Sequence, residues 1–231
     1  LRDVVYPNTL RMLGSVRGKR VLDVACGEGT FSELLAKAGA TVAGVDAAAT
    51  LIQAAKRRRA PRAFFVGDVR KLEAVPMLPD RAPFDAAVCL MAIANVDPIA
   101  PVFRGVAQLL NPNASFVLVL AHPAFRIPRQ SGWGWDEARK LQYRRVDRYL
   151  APLDIPIQAH PGSAPQVMTR TYHRPLSVYV AELATAGFAI TALEEWTSDR
   201  ASDSGPRARA ENLSRREIPV FLAVRAIRMR E

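Results

Sequence analysis

Residues 21–46 read VLDVACGEGTFSELLAKAGATVAGVD, and this stretch decides the fold. A short apolar run, Val21 to Ala25, carries one acid, Asp23. The glycine-rich turn Cys26-Gly27-Glu28-Gly29 follows. A helical pattern runs from Thr30 to about Ala38, and Gly39 stops it. A second apolar run, Thr41 to Val45, ends on Asp46. The unit reads as strand, turn, helix, strand, the opening of an open α/β sheet.

Each part has a physical task. Gly27 and Gly29 lack Cβ, so the backbone turns sharply and a ligand can approach it closely. The helix after the turn points free N–H groups back at it, where they favour an anionic group. Asp46, with Ala47 behind it, ends the second strand where an acid accepts hydrogen bonds from a ribose diol. Dinucleotides and S-adenosylmethionine both use this plan. The dinucleotide fingerprint G-x-G-x-x-G lacks its third glycine here. Asp23, two residues before Ala25, suits a cationic amino acid better than a pyrophosphate. The stretch resembles motif I of the class I S-adenosylmethionine-dependent methyltransferases, acid-x-Gly-x-Gly-x-Gly, departing from it at Ala25.

The chain of 231 residues is long enough for one domain with a substantial core. The expectation is a single domain over 1–231. Its fold is α/β, doubly wound and Rossmann-like, with a seven-stranded, mostly parallel sheet, an antiparallel last strand and a lid-like insertion. No apolar run is long enough to span a bilayer. Two cysteines, Cys26 and Cys89, argue against a disulfide framework or a zinc site, and a cytoplasmic protein is the simplest expectation. The net charge of +10 invites nucleic acid, membrane surfaces or acidic metabolites. The basic clusters, however, are not interleaved with stacking aromatics, which argues against a nucleic-acid face.

Taken in order, residues 1–16 read as a helix. The resemblance implies that this helix lies over the cofactor, with Tyr6 near a sulfonium. A second helix covers about 48–59, closed by Pro61. Ala63 to Val66 is the third strand, followed by Gly67-Asp68-Val69. The resemblance gives Asp68 the adenine amino group and Val69 the ring face; the plain alternative is an acid capping the next helix. Phe84 to Met91 is the fourth strand, and Leu90, Met91 and Ala92 are expected to line the cofactor. The Asn/Asp-Pro-Pro-aromatic sequence of amide-nitrogen methylation is absent at this strand end, as is a Pro-Cys nucleophile. What remains resembles the small-molecule enzymes. A helix from Asp97 to about Leu110 leads into the fifth strand, Ser115 to Ala121.

The connection from about 122 to 172 exceeds an ordinary loop and is expected to form a substrate lid, with a helix from Asp136 to Leu150. Read structurally, the same insertion is a dimer contact, and a homodimer stays open. The segment HPAFRIPRQSGWGWDEARKLQYRRVDRYL within it resembles a bacterial group of such enzymes. His122 and His173 flank the insertion and are the candidate catalytic bases; His160 is a weaker third. Trp133, Trp135 and Tyr143 would suit a flat acceptor. Arg126 and Arg129 could pair with an acceptor carboxylate. After a helix opened by Pro175 come a sixth strand, Phe188 to Trp196, a polar loop, Thr197 to Glu217, and a seventh strand, Ile218 to Ile227.

The resemblance implies methyl transfer from S-adenosylmethionine, leaving S-adenosylhomocysteine. The acceptor is a small molecule, methylated on the oxygen of a flat or aromatic compound, and no metal is expected. The alternatives are an RNA methyltransferase, a non-catalytic partner subunit that binds the same cofactor, and a nicotinamide oxidoreductase.

Overall fold

The computed structural model describes residues 2–58, 62–158 and 168–230. Seven strands form the main sheet: β1 (Arg20–Val24), β2 (Thr41–Asp46), β3 (Arg62–Val66), β4 (Phe84–Leu90), β5 (Leu110–Ala121), β10 (Phe188–Trp196) and β11 (Phe221–Arg228). Four more form two hairpins inside the insertion: β6 (Ser131–Asp136) with β7 (Leu141–Val146), and β8 (Leu153–Gln158) with β9 (Met168–His173). The main sheet runs β10-β11-β5-β4-β1-β2-β3. Strands β1 to β5 are parallel, and β11 is antiparallel to both β5 and β10, as expected for the last strand.

Helices α1 (Val5–Leu13), α2 (Thr30–Lys37), α3 (Ala49–Lys56), α4 (Ala100–Leu109) and α5 (Leu176–Thr185) cover the sheet. Strands buried on both faces need apolar side chains throughout, and β1 complies with Val21, Leu22 and Val24 all inaccessible. One face packs Leu22 and Val24 with Val102, Phe103 and Val106 of α4 and with Tyr179 and Leu183 of α5. The other packs Val21 with Val5 and Met12 of α1 and with Phe31 and Leu35 of α2. Among the described residues no helix is long and apolar enough to cross a membrane.

Register fixes the site. Val24 lies beside Val45 on β2 and Cys89 on β4, and Leu90 lies beside Val119 on β5. The carboxyl ends of four parallel strands therefore reach one edge. The winding reverses between β1 and β4, so their following loops part and leave a crevice.

Two elements depart from the sequence reading. The helix expected from Asp136 to Leu150 is instead the far half of the β6–β7 hairpin, so Arg144 and Arg145 lie on a strand. Trp133 and Trp135 alternate with Gly132 and Gly134, a strand period that outweighs the acidic start at Asp136 and Glu137. The polar loop expected over 197–217 contains helix α6 (Ala208–Glu217). Its Ser214 hydroxyl donates to the Gln142 carbonyl at 2.7 Å, fastening α6 to β7. Pro61, Arg59 and His160 lie outside the described residues.

The turn after β1 is tightly constrained. Gly29 has φ +75°, and a Cβ there would lie 2.8 Å from Phe64 Cζ and 3.1 Å from Ala55 Cβ. Ala25, at the position where the resembled motif has glycine, is also left-handed, with φ +57°. Gly29→Ala is therefore expected to cost about 2–4 kcal/mol in urea denaturation, partly recovered in a Phe64→Leu background. Ala25→Gly is expected to cost nothing or to stabilise by up to about 1 kcal/mol, because relief of left-handed strain offsets the added chain entropy. A clear loss of stability in Ala25→Gly would count against strain at that position.

Candidate active site

The crevice holds a cavity of about 1130 Å³. Asp23, Ala25, Cys26 and Gly27 line it from the β1 side, and Asp46 and Ala47 from the end of β2. Asp68 and Val69 come from the β3 loop, and Leu90, Met91 and Ala92 from the end of β4. Tyr6 of α1 closes the near wall, packed on Phe31 at a ring separation of 5.3 Å. Twelve expected cofactor residues thus meet in one place. Gly29 and Gly67 do not line the cavity. Gly29 shapes the turn behind it, and a Cβ on Gly67 would strike Val75 at 2.5 Å, so both permit packing.

Three carboxylates are spread along the cavity. Asp46 accepts from the Gly27 N–H at 2.8 Å and the Ala48 N–H at 2.9 Å, one on each oxygen. It ties the two loops together, and each oxygen keeps a lone pair for a ligand. Asp68 accepts from the Arg70 N–H at 2.9 Å, capping the 3-10 helix Val69–Ala74, and also pairs with the Arg70 guanidinium at 2.7 Å. The capping alternative is thus realised while Asp68 still faces the cavity. Arg70 holds the Asp68 carboxyl below its usual range. Asp23 is buried, and among the described residues its carboxylate accepts one hydrogen bond, from Ser32 Oγ at 2.6 Å. Burial pushes its carboxyl up to about 7, against the Ser32 hydrogen bond. Burial also raises both thiols, Cys26 strongly and Cys89 to about 12, so neither is a ready nucleophile.

The far wall was not legible in the sequence. Ile157, Thr169, Arg170 and Tyr172 of the β8–β9 hairpin line the same cavity, with Asn95, Val96 and Asp97 after β4. Asn95 donates to the Arg170 carbonyl at 2.8 Å, and the buried Arg174 pairs with Asp97 at 2.6 Å. These bonds clip the insertion to the sheet.

Neither expected histidine reaches this cavity. His122 is buried; its Nδ1 accepts from the Ala124 N–H at 3.1 Å, so Nε2 carries the proton toward Glu195 Oε1 at 2.7 Å. His173 Nε2 donates to the Tyr149 carbonyl at 2.7 Å. Both rings bond loop backbone, and neither histidine is among the residues lining this cavity or the one adjoining it. Among the described residues no cluster of histidine, cysteine or carboxylate side chains could hold a metal ion.

A second cavity, of about 660 Å³, adjoins the first. Met91 lines both, and Val4 and Tyr6 at the start of α1 face one each. Of the expected acceptor residues, Trp133 and Arg126 line this second cavity. Trp135 instead bonds Glu137 and stacks under Arg207 at 4.6 Å. Tyr143 is exposed beside Gly134, and Arg129 donates to the Pro156 carbonyl at 3.2 Å. None of these three lines either cavity.

Residues 21–113 match the model of a family described as a methyltransferase domain. A demethylmenaquinone methyltransferase of Renibacterium salmoninarum is 33% identical over 114 residues, covering 49% of this chain and 46% of that protein. A ubiquinone biosynthesis O-methyltransferase of Xylella fastidiosa is 37% identical over 99 residues, covering 42% of this chain and 40% of that protein. The chain spans about half the length of the curated relatives it matches. A crystal structure of an S-adenosylmethionine-dependent methyltransferase from Mesorhizobium loti superposes with a TM-score of 0.73 at 29% identity, covering 96% of each chain.

Asp23 gives a test that needs no ligand. Its folded pKa stands above the unfolded value, so the folded state holds the proton more tightly. Stability from this group is full below about pH 4 and is lost as pH rises to about 7. Asp23→Asn is therefore expected to gain on the wild type across that window, by roughly 4 kcal/mol at most. Urea denaturation at pH 4.5 and 7.5 reads this difference; a pH-independent gap would show that Asp23 is not the buried titrating group.

Proposed function

This chain belongs to the class I S-adenosylmethionine-dependent methyltransferases, and on that premise we propose that it methylates a small-molecule acceptor, at the oxygen of a flat or aromatic compound. The observation that carries this reading is the pair of cavities meeting at Met91, one suited to a nucleoside cofactor and the other to an acceptor.

The residues present fit the cofactor. Asp23, buried with one hydrogen bond, is stabilised as an anion by a ligand ammonium. Asp46 offers its remaining lone pairs to a ribose diol. Asp68 accepts from an adenine amino group while Val69 and Leu51 give the ring apolar sides. S-adenosylmethionine, when bound, supplies a sulfonium methyl whose C–S bond breaks as the acceptor lone pair bonds the carbon, sulfur keeping the electron pair in S-adenosylhomocysteine. The protein aligns the two partners and excludes water. The insertion, with one hairpin at each cavity, acts as the substrate lid of a single-domain enzyme. The ubiquinone relative carries an O-methyltransferase name, which supports oxygen as the acceptor atom. Two unpaired thiols favour a cytoplasmic setting.

Calorimetric titration with S-adenosylhomocysteine, beside NAD, tests the reading. Binding is expected for S-adenosylhomocysteine alone, at least about tenfold weaker in Asp46→Ala, where charge-assisted hydrogen bonds are lost. Affinity is also expected to rise by about tenfold between pH 5 and 7.5 as Asp23 ionises, and to be flat in Asp23→Asn. A preference for NAD would overturn the reading.

A further inference from the structure

The second cavity carries a charge imbalance that the fold does not explain. Arg126, Arg144, Arg200 and Arg215 all line it, and Asp199 is the one acid beside them. Among the described residues, none of the four arginines makes an ion pair with a carboxylate. They come from three separate parts of the chain: the insertion, the loop after β10, and α6. Arg215 Nε is buried without a hydrogen-bond partner. Burial and neighbouring cations, Arg200 on Arg126 and Arg126 on Arg144, pull both guanidiniums below their usual range. Arg126 and Arg200 are exposed at the mouth while Arg144 and Arg215 are half-buried, so the like charges repel most strongly toward the interior, and a buried donor left unbonded costs more than the bond would have gained. An anion in the cavity would relieve both.

The cavity also has flat apolar walls. Arg144 stacks over Trp133 at 5.1 Å and Arg126 over Phe221 at 5.8 Å. Arg144 is held in place by bonds to the Phe125 carbonyl at 2.6 Å and Ser131 Oγ at 3.2 Å. Guanidinium forks fixed beside aromatic faces match a ring that bears a carboxylate. Met91, at φ +57° with its N–H bonded to the Val119 carbonyl at 2.7 Å, is the wall shared with the cofactor cavity.

We propose that this second cavity is the acceptor site and takes a small aromatic carboxylate, its anionic group held by Arg126, Arg144, Arg200 and Arg215 and its ring against Trp133 and Phe221. The proposal rests on the methyl-transfer reading. It also replaces the histidine base. Concentrated positive charge favours the ionised form of an acceptor carboxyl or phenol, so the nucleophile arrives without its proton, which has gone to water. The acceptor oxygen then takes the methyl while the electron pair of the broken C–S bond goes to sulfur.

The test measures binding of hydroxybenzoates and hydroxycinnamates against their neutral carboxamides and against phenyl phosphate, with a single-stranded RNA oligomer as a further probe. Each is titrated with and without S-adenosylhomocysteine, into wild type, Arg126→Gln and Arg215→Gln. Carboxylates are expected to bind at least about tenfold more tightly than their amides and to lose that margin in either variant, while S-adenosylhomocysteine affinity is unchanged. Arg126→Gln is also expected to melt no lower than wild type, because it relieves repulsion; an arginine kept only for structure would melt lower. Equal binding of carboxylates and amides, or no binding of either, overturns the proposal. A preference for phenyl phosphate overturns the carboxylate, and tight, steeply salt-dependent RNA binding overturns the small molecule. Loss of S-adenosylhomocysteine binding with carboxylate selectivity intact would instead sink the cofactor reading.

Discussion

A parallel sheet has to be wound outward from its first strand, because right-handed crossovers carry each connection over a face. Here the winding runs from β1 to β2 and β3, then returns past β1 to β4 and β5. That reversal is the constraint on which the site depends. Loops leaving β1 and β4 must part in opposite directions, and the gap between them needs no other cause. Asp46 then sets its shape, since its two oxygens hold the Gly27 and Ala48 N–H groups of neighbouring loops. Gly29 allows the turn to pass under Phe64. Asp23 ends up buried at the foot of the crevice because it sits in a strand with apolar neighbours on both sides.

What was legible in the sequence follows from that constraint. Strands buried on both faces are continuous apolar runs, and a tight turn between strand and helix requires glycine, so residues 21–46 announce themselves. The same logic puts Asp68 and Met91 at the site, because strand ends share an edge. The insertion obeyed no such rule. Its β6–β7 hairpin is mostly half-buried or exposed, so its pattern is set by alternating glycine and tryptophan rather than by a core face. Acids at 136 and 137 mimic a helix start, whereas the chain turns there and Lys140 takes φ +51°. Helix α6 escaped notice for a related reason. It is polar nearly all round, with Ser214 its one buried residue, and such a helix has no apolar stripe to read. Topology correctly brought His122 to a strand end but could not say which way the ring would turn. The ring turned to Glu195 and the Ala124 N–H.

The two cavities therefore have different origins. Most of the first cavity comes from strand ends and their first turns, positions set by the sheet, with the β8–β9 hairpin as its far wall. The stretch shared with the methyltransferase family supplies most of it. The second cavity is assembled from the start of α1, the insertion, the loop after β10, α6 and the entry to β11, with Met91 the one residue in common. A family resemblance concentrated in the first part of the sheet speaks to the cofactor and is nearly silent on the acceptor. Selection on an acceptor can act on these outer segments without disturbing the strand register beneath them.

Electrostatics completes the division. The first cavity presents Asp23, Asp46 and Asp68, carboxylates that the proposed reading matches to a cation, a diol and an amine. Across Met91 the second cavity presents four guanidiniums. On the proposed reading, a cofactor cation among acids and an acceptor anion among arginines would lie on either side of one shared wall, each satisfied by the protein. Transfer of a methyl from sulfonium to such an anion would cancel that pair of charges, while the ammonium, diol and adenine matched to the three carboxylates stay on the cofactor product.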